Sequence, residues 1–283
     1  MKYTTIMGAL AGIPLSMAVQ PPKVNGMKVT WKETFEGCGG CSPNDKVWDT
    51  ALHIDTNGEM QDYTESNKNI QLSGGDTLQL VPRKDKKGAW TSGRIETKDS
   101  WTPQPNKKMT YQAGLRLGDS TDTQGIWSAF WMLGDAVRHG TEWPLCGELD
   151  IFEQVNGDGL GHGTVHCGPN DQGGPCNEGS GLGSSVPMLG SNTFHDWSLT
   201  VDRTPGSWQA ETITWAMDGL PFQVITGAQI GDEGIWSTLA HSPFYIILNV
   251  AVGGNWPGDP SASTEDGFGN MMEVQYAAVY ESE

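Results

Sequence analysis

Three carboxylates fall within six residues of the run Cys146-Gly-Glu-Leu-Asp-Ile-Phe-Glu153, a stretch otherwise apolar and strand-like. A carboxylate on a half-buried strand costs free energy unless it is paired, solvated or used. Strand side chains alternate faces, so Glu148 and Asp150 point one way and Glu153 the other. One extra residue in a β-bulge at 149–152 turns Glu153 back to join them. The Cα atoms of Glu148 and Glu153 then lie roughly 13–15 Å apart, less the bulge. Side chains leaning inward on a concave sheet bring two such carboxyls to about 5–5.5 Å. At that separation one can attack a glycosidic carbon while the other protonates the leaving oxygen. Acids on a strand are also commonly the solvated face of an edge. Three of them interleaved with Leu, Ile and Phe, after Trp143-Pro144, weigh toward chemistry.

Such a wall needs a sheet around it, and the chain supplies strands almost throughout. Residues 27–35, 77–81, 93–97, 109–117, 125–132, 162–167, 197–201 and 272–280 read as extended, separated by Gly, Asn, Asp or Pro. Residues 212–217 alternate apolar and polar, and 244–250 are apolar nearly throughout, as a strand covered on both faces is. Only 232–240 suggests a helix. Many short strands with turn signals predict an all-β sandwich or jelly roll. No linker or repeat divides the chain, so residues 19–283 read as one domain. Residues 158–192, dense in Gly, Ser, Asn and Pro, read as a long cleft loop. A second cleft loop, 253–258, places Trp256 on a glycine turn, where it could equally be a lid on the core edge.

Composition narrows the ligand. A net charge of −17 with only 17 Lys and Arg disfavours nucleic acid, anionic membrane surfaces and acidic polysaccharides, leaving a neutral ligand. Twelve Trp residues suit a large core, and they also suit a cleft whose flat rings lie against sugar C–H faces. Lys2, the apolar stretch 6–17 and small residues at Ser16 and Ala18 resemble a secretory leader over residues 1–18, although a buried first strand is the alternative. Five cysteines leave one unpaired. Cys167 and Cys176 flank a loop that a bridge would close, and Cys38 and Cys41 could form a small ring. Cys146 reads as a free buried thiol.

These segments together resemble glycoside hydrolase family 16, most closely its laminarinase-like endo-β-1,3(4)-glucanase branch. The motifs are Gly147–Glu153, Thr91-Ser-Gly-Arg-Ile95, Gly125-Ile-Trp-Ser-Ala-Phe-Trp131, Trp143-Pro-Leu-Cys146, and Ile247 to Gly254 followed by Asn255-Trp-Pro-Gly258. The resemblance implies a concanavalin A-like β-jelly roll of two antiparallel sheets with a concave substrate cleft. It also implies retaining hydrolysis of internal β-linkages, and the leader-like stretch adds secretion. Residue by residue, it makes Glu148 the nucleophile, Glu153 the acid/base and Asp150 the group that tunes their protonation. Trp127, Trp131 and Trp143 resemble the aromatic floor and wall of the sugar subsites; any could be core instead, Trp131 first among them. Arg94, Asn249 and, more weakly, Asn57 match positions that contact sugar. His166 could hydrogen-bond a catalytic carboxyl or be a satisfied structural histidine. Family members often carry calcium on the convex side, held by an acid in the final strand. Gln275 stands there, which argues against calcium and leaves no cofactor expected.

The expected partner is thus a neutral β-glucan, acted on by a monomer. Related readings are hydrolysis of β-1,3-galactan, transfer of the glycosyl group to sugar instead of water, and lectin-like binding without catalysis. A pure binder has no need of Glu153.

Overall fold

The computed structural model describes residues 18–54, 56–169 and 171–283. The leader expected over residues 1–18 lies, up to residue 17, outside the described residues. Helix contributes little: the predicted one at 232–240 is present as Glu233–Ala240, and the Asp232 side chain caps it by accepting the Ile235 N–H. No helix among the described residues is long and apolar enough to cross a membrane.

Two large antiparallel sheets make up the molecule. The inner sheet runs, in spatial order, Leu182–Pro187, Leu160–His166, Glu148–Val155, Ile126–Gly134, Phe244–Val252, Arg94–Thr97 and Trp48–Thr50. The outer sheet is built on Lys108–Leu117, flanked by His195–Asp202 and by Met272–Ser282. A small third sheet adds the parallel pair Gln61–Tyr63 and Trp90–Ser92 at one side.

Alternation decides which residues meet between the layers. From the inner sheet Phe130, Met132, Leu149 and Phe152 are fully buried, and from the outer sheet Tyr111, Leu115, Trp197 and Trp215 face them. The Phe152 and Trp197 rings lie 4.6 Å apart, and the Trp215 indole N–H donates to the Asp150 carbonyl at 2.7 Å. The core therefore grips the acidic strand from behind through both side chain and backbone. Gly161 makes room for this: a Cβ there would sit 2.0 Å from the Trp197 ring.

The stretch 158–192 is not one loop, as its composition suggests. It forms the strands Leu160–His166 and Leu182–Pro187, which extend the inner sheet and leave one loop between them and a shorter one after them. Disulfides join Cys38 to Cys41 and Cys167 to Cys176, and Cys146 is free and buried.

Candidate active site

The acidic strand contains the extra residue that its chemistry needs. Against Leu160–His166, Asp150 pairs with Thr164 and Glu153 with His162, three steps on one strand against two on the other. Against Ile126–Gly134, Phe130 pairs with Phe152 and Trp131 with Asp150, again one residue in excess. Both neighbours thus place a bulge at Ile151–Phe152, and the two bulge residues bury their side chains in the core. Glu148, Asp150 and Glu153 consequently share one face and line the same trough.

The trough has two hollows, of about 670 and 490 Å³. Glu148, Asp150, Glu153, Trp127, Trp143 and Asn57 line both, so the acids sit where the hollows meet. Trp127, Ala129, Trp131 and Leu133 share the trough face of their strand, because period two makes them neighbours. Trp131 is therefore cleft lining rather than core: its N–H donates to Asn249 Oδ1 at 2.6 Å, and the Arg94 guanidinium lies 4.9 Å over its ring. One row across the sheet reads His162, Glu153, Ala129, Asn249, Arg94. The small Ala129 between Trp127 and Trp131 leaves open space beside Glu153.

Each glutamate has its own tryptophan. The Trp143 N–H donates to Glu148 Oε2 at 3.0 Å, and the Trp127 N–H donates to Glu153 Oε1 at 2.8 Å. Trp143 reaches in from a turn that packs against Gly134, where a Cβ would collide with the Cys146 carbonyl oxygen at 1.8 Å. Trp256 stands half exposed on its glycine turn, edge-on to Trp127 at 5.6 Å and to His162 at 5.1 Å. Asn57 lies at the rim with a left-handed backbone, φ 56°, and its carbonyl accepts the Asn255 N–H at 2.7 Å. Arg94 is held by Glu96 through Nε at 3.0 Å and Nη2 at 2.7 Å. Asn249 lines the second hollow, but Trp131 and the Tyr63 hydroxyl already use its amide.

The three acids differ in how tightly they keep a proton. Burial raises the Glu148 carboxyl, against the opposing pull of His166, the Trp143 N–H and Arg94. Burial, joined by the nearby charge of Glu148, pushes Glu153 up to about 7, opposed by the Trp127 N–H and His166. Asp150 is raised well above the usual carboxylate range by burial and by the charges of Glu153, Glu148 and Glu178. Its Oδ2 has no hydrogen-bond partner among the described residues. Environments that separate neighbouring carboxyls in this way suit one that stays ionised beside one that delivers a proton.

His166 belongs to this group, with Nε2 at 4.0 Å from Glu148 Oε1 and 3.7 Å from Asp150 Oδ2. Sequence reasoning missed Glu178, whose Oε2 lies 2.6 Å from His166 Nδ1, and Glu59, which accepts from Gln61 and Tyr63 behind the second hollow. Glu178 sits two residues beyond a cysteine in a glycine-rich loop, and that proximity was its one sequence signal.

A family profile described as "XgeA-like, catalytic GH16 domain" matches residues 60–212, more than half of the chain. The chain belongs to glycoside hydrolase family 16. This is a family of retaining enzymes with the jelly-roll fold. An endo-1,3-β-glucanase structure from Streptomyces sioyaensis superposes with a TM-score of 0.87 at 34% identity, covering 93% of this chain and 99% of the other. A glucan endo-1,3-β-glucosidase A1 from Niallia circulans is 28% identical over 93% of this chain, which spans only 39% of that relative's length. A β-glucanase from Rhodothermus marinus is 29% identical over 97% of this chain and 92% of its own.

Among the described residues, the position in the final strand where the family resemblance places a calcium-ligating acid carries Gln275. Gln275 is the extra residue of a bulge in the final strand, and its amide oxygen brings no negative charge to a cation. The buried acid beside it, Glu273, is taken up by Arg116 at 2.6 Å, by the Thr77 hydroxyl at 2.6 Å and by Gln79 at 3.2 Å.

Proposed function

We propose that this chain is a secreted, endo-acting, retaining β-glucanase that cuts internal β-1,3 bonds of a neutral glucan. One observation carries the endo reading: the acids stand at the junction of two hollows, with room for sugar on both sides of the cleavage point. The relatives named above, a 1,3-β-glucanase among them, support the linkage. Two disulfides support an oxidising, extracellular setting.

In this reading Glu148 attacks the anomeric carbon, and Glu153 gives its proton to the departing glycosidic oxygen. Glu148 is thereby bonded to the sugar. The ionised Glu153 then takes a proton from water as that water attacks the same carbon, and Glu148 is released. Asp150 stays neutral between them, so that no third buried charge opposes the reaction. Trp143 and Trp127 fix the two carboxylates in place through their N–H groups. Digestion of laminarin, barley glucan, lichenan and β-1,3-galactan, with products sized over time, tests the reading. Mid-sized oligosaccharides should appear first from laminarin. Release of monosaccharide alone, or cleavage confined to galactan, contradicts it.

A further inference from the structure

An imidazole performs a directed task only when something fixes its rotamer and tautomer, and the partner of one ring nitrogen decides the state of the other. His166 pairs with Glu148 across neighbouring strands, so its backbone position is set by the sheet. Its ring is set by something else. Nδ1 lies 2.6 Å from Glu178 Oε2. The Glu178 side chain is fully buried, and its other oxygen accepts the Cys167 backbone N–H at 2.8 Å. A carboxylate this deep is expensive unless its partners repay it, and the partners here are the ring of residue 166 and the backbone of residue 167. The Cys167–Cys176 disulfide joins the residue after His166 to the residue two before Glu178. The bridge, the histidine and the glutamate therefore form one closed unit along one flank of the trough.

We propose that Glu178 is a positioning residue for the hydrolytic reaction. It accepts the Nδ1 proton of His166 and so aims Nε2 at Glu148 and Asp150, while the Cys167–Cys176 bridge seats Glu178 against the ring. Nε2 then lies 3.7 Å from Asp150 Oδ2, which has no hydrogen-bond partner among the described residues. This inference rests on the assignment of Glu148 as nucleophile.

A kinetic double-mutant cycle tests it, with kcat and KM measured on a laminarin oligosaccharide for wild type, Glu178→Gln, His166→Asn and the double variant. Active enzyme is counted by labelling with a 2-fluoro-β-glucoside that traps the nucleophile. Glu178→Gln should lower kcat by roughly 10-fold, the scale expected when the carboxylate partner of a working histidine is removed, with KM within about twofold. On the His166→Asn background the same change should leave kcat unaltered. Nitrogen-15 NMR of His166 should show one Nδ1–H tautomer in wild type and a mixture in Glu178→Gln. An unchanged kcat in Glu178→Gln, or an equal loss in both backgrounds, overturns the proposal. Should Glu178→Gln fail to fold, Glu178→Asp is read through the same cycle. Absence of label on wild-type Glu148 would instead sink the nucleophile assignment, so the two failures are distinguishable.

Discussion

Glu153, the proposed proton donor, has a carboxyl strongly perturbed by burial. Its folded carboxyl, raised to about 7, binds a proton more tightly than it does in the unfolded chain. Protonation therefore stabilises the fold fully below the ordinary carboxylate range, and that contribution is lost as pH climbs through about 7. Two outcomes follow. The acid needed for the first step disappears on the same limb, so kcat/KM should fall above about pH 7 in a pH–rate profile, and a flat profile to pH 9 would exclude Glu153 as the acid. Glu153→Gln should be more stable than wild type at pH 8, by on the order of 2–3 kcal/mol, and nearly equal to it at pH 4 by denaturant titration. At this scale the sequence was informative about the acids, because their type and spacing are costly without a use. For Glu178 it offered only nearness to Cys176, because in a loop no periodicity says which way a side chain points.

The element that matters most is the bulged strand Glu148–Val155. Its bulge was legible because strict alternation would have sent Glu153 into the core, on the face of Leu149 and Ile151. Deleting Ile151 leaves Glu-Leu-Asp-Phe-Glu, which keeps all three acids on one face without a bulge. That variant should retain hydrolysis per folded molecule while losing about 2–5 kcal/mol for the missing buried side chain. Inserting one alanine after Ile151 instead lets strict alternation keep Glu153 on the trough face but moves it roughly 7 Å further from Glu148 than in the deletion variant, which should abolish activity. A fully active insertion variant, or a folded but inactive deletion variant, would contradict the register. Trp131 teaches the same rule. A tryptophan four residues along the same strand from Trp127 shares its face, so period two favours the cleft for Trp131 over the core alternative. The strand Leu182–Pro187 was hidden for a different reason. Its Gly and Ser content is that of a loop, and sheet pairing overrides that local preference.

The sandwich as a whole was readable from strands at short spacing and from a buried apolar strand at 244–252. What composition could not reveal is how buried charge on the outer sheet is satisfied. There the Arg116 guanidinium pairs with Glu273 at 2.6 Å. Thermal unfolding should therefore be insensitive to a chelator, with Tm in EDTA within about a degree of the untreated value. A fall of several degrees, reversed by calcium, would show a metal contribution that this side-chain arrangement does not provide.

The most direct trial of the whole account is covalent trapping at the cleft. After incubation with a 2-fluoro-β-glucoside or its β-1,3-linked disaccharide, peptide mass spectrometry should find the sugar on Glu148. Labelling of Asp150 or Glu153 instead, or complete inactivation without a covalent adduct, would contradict it.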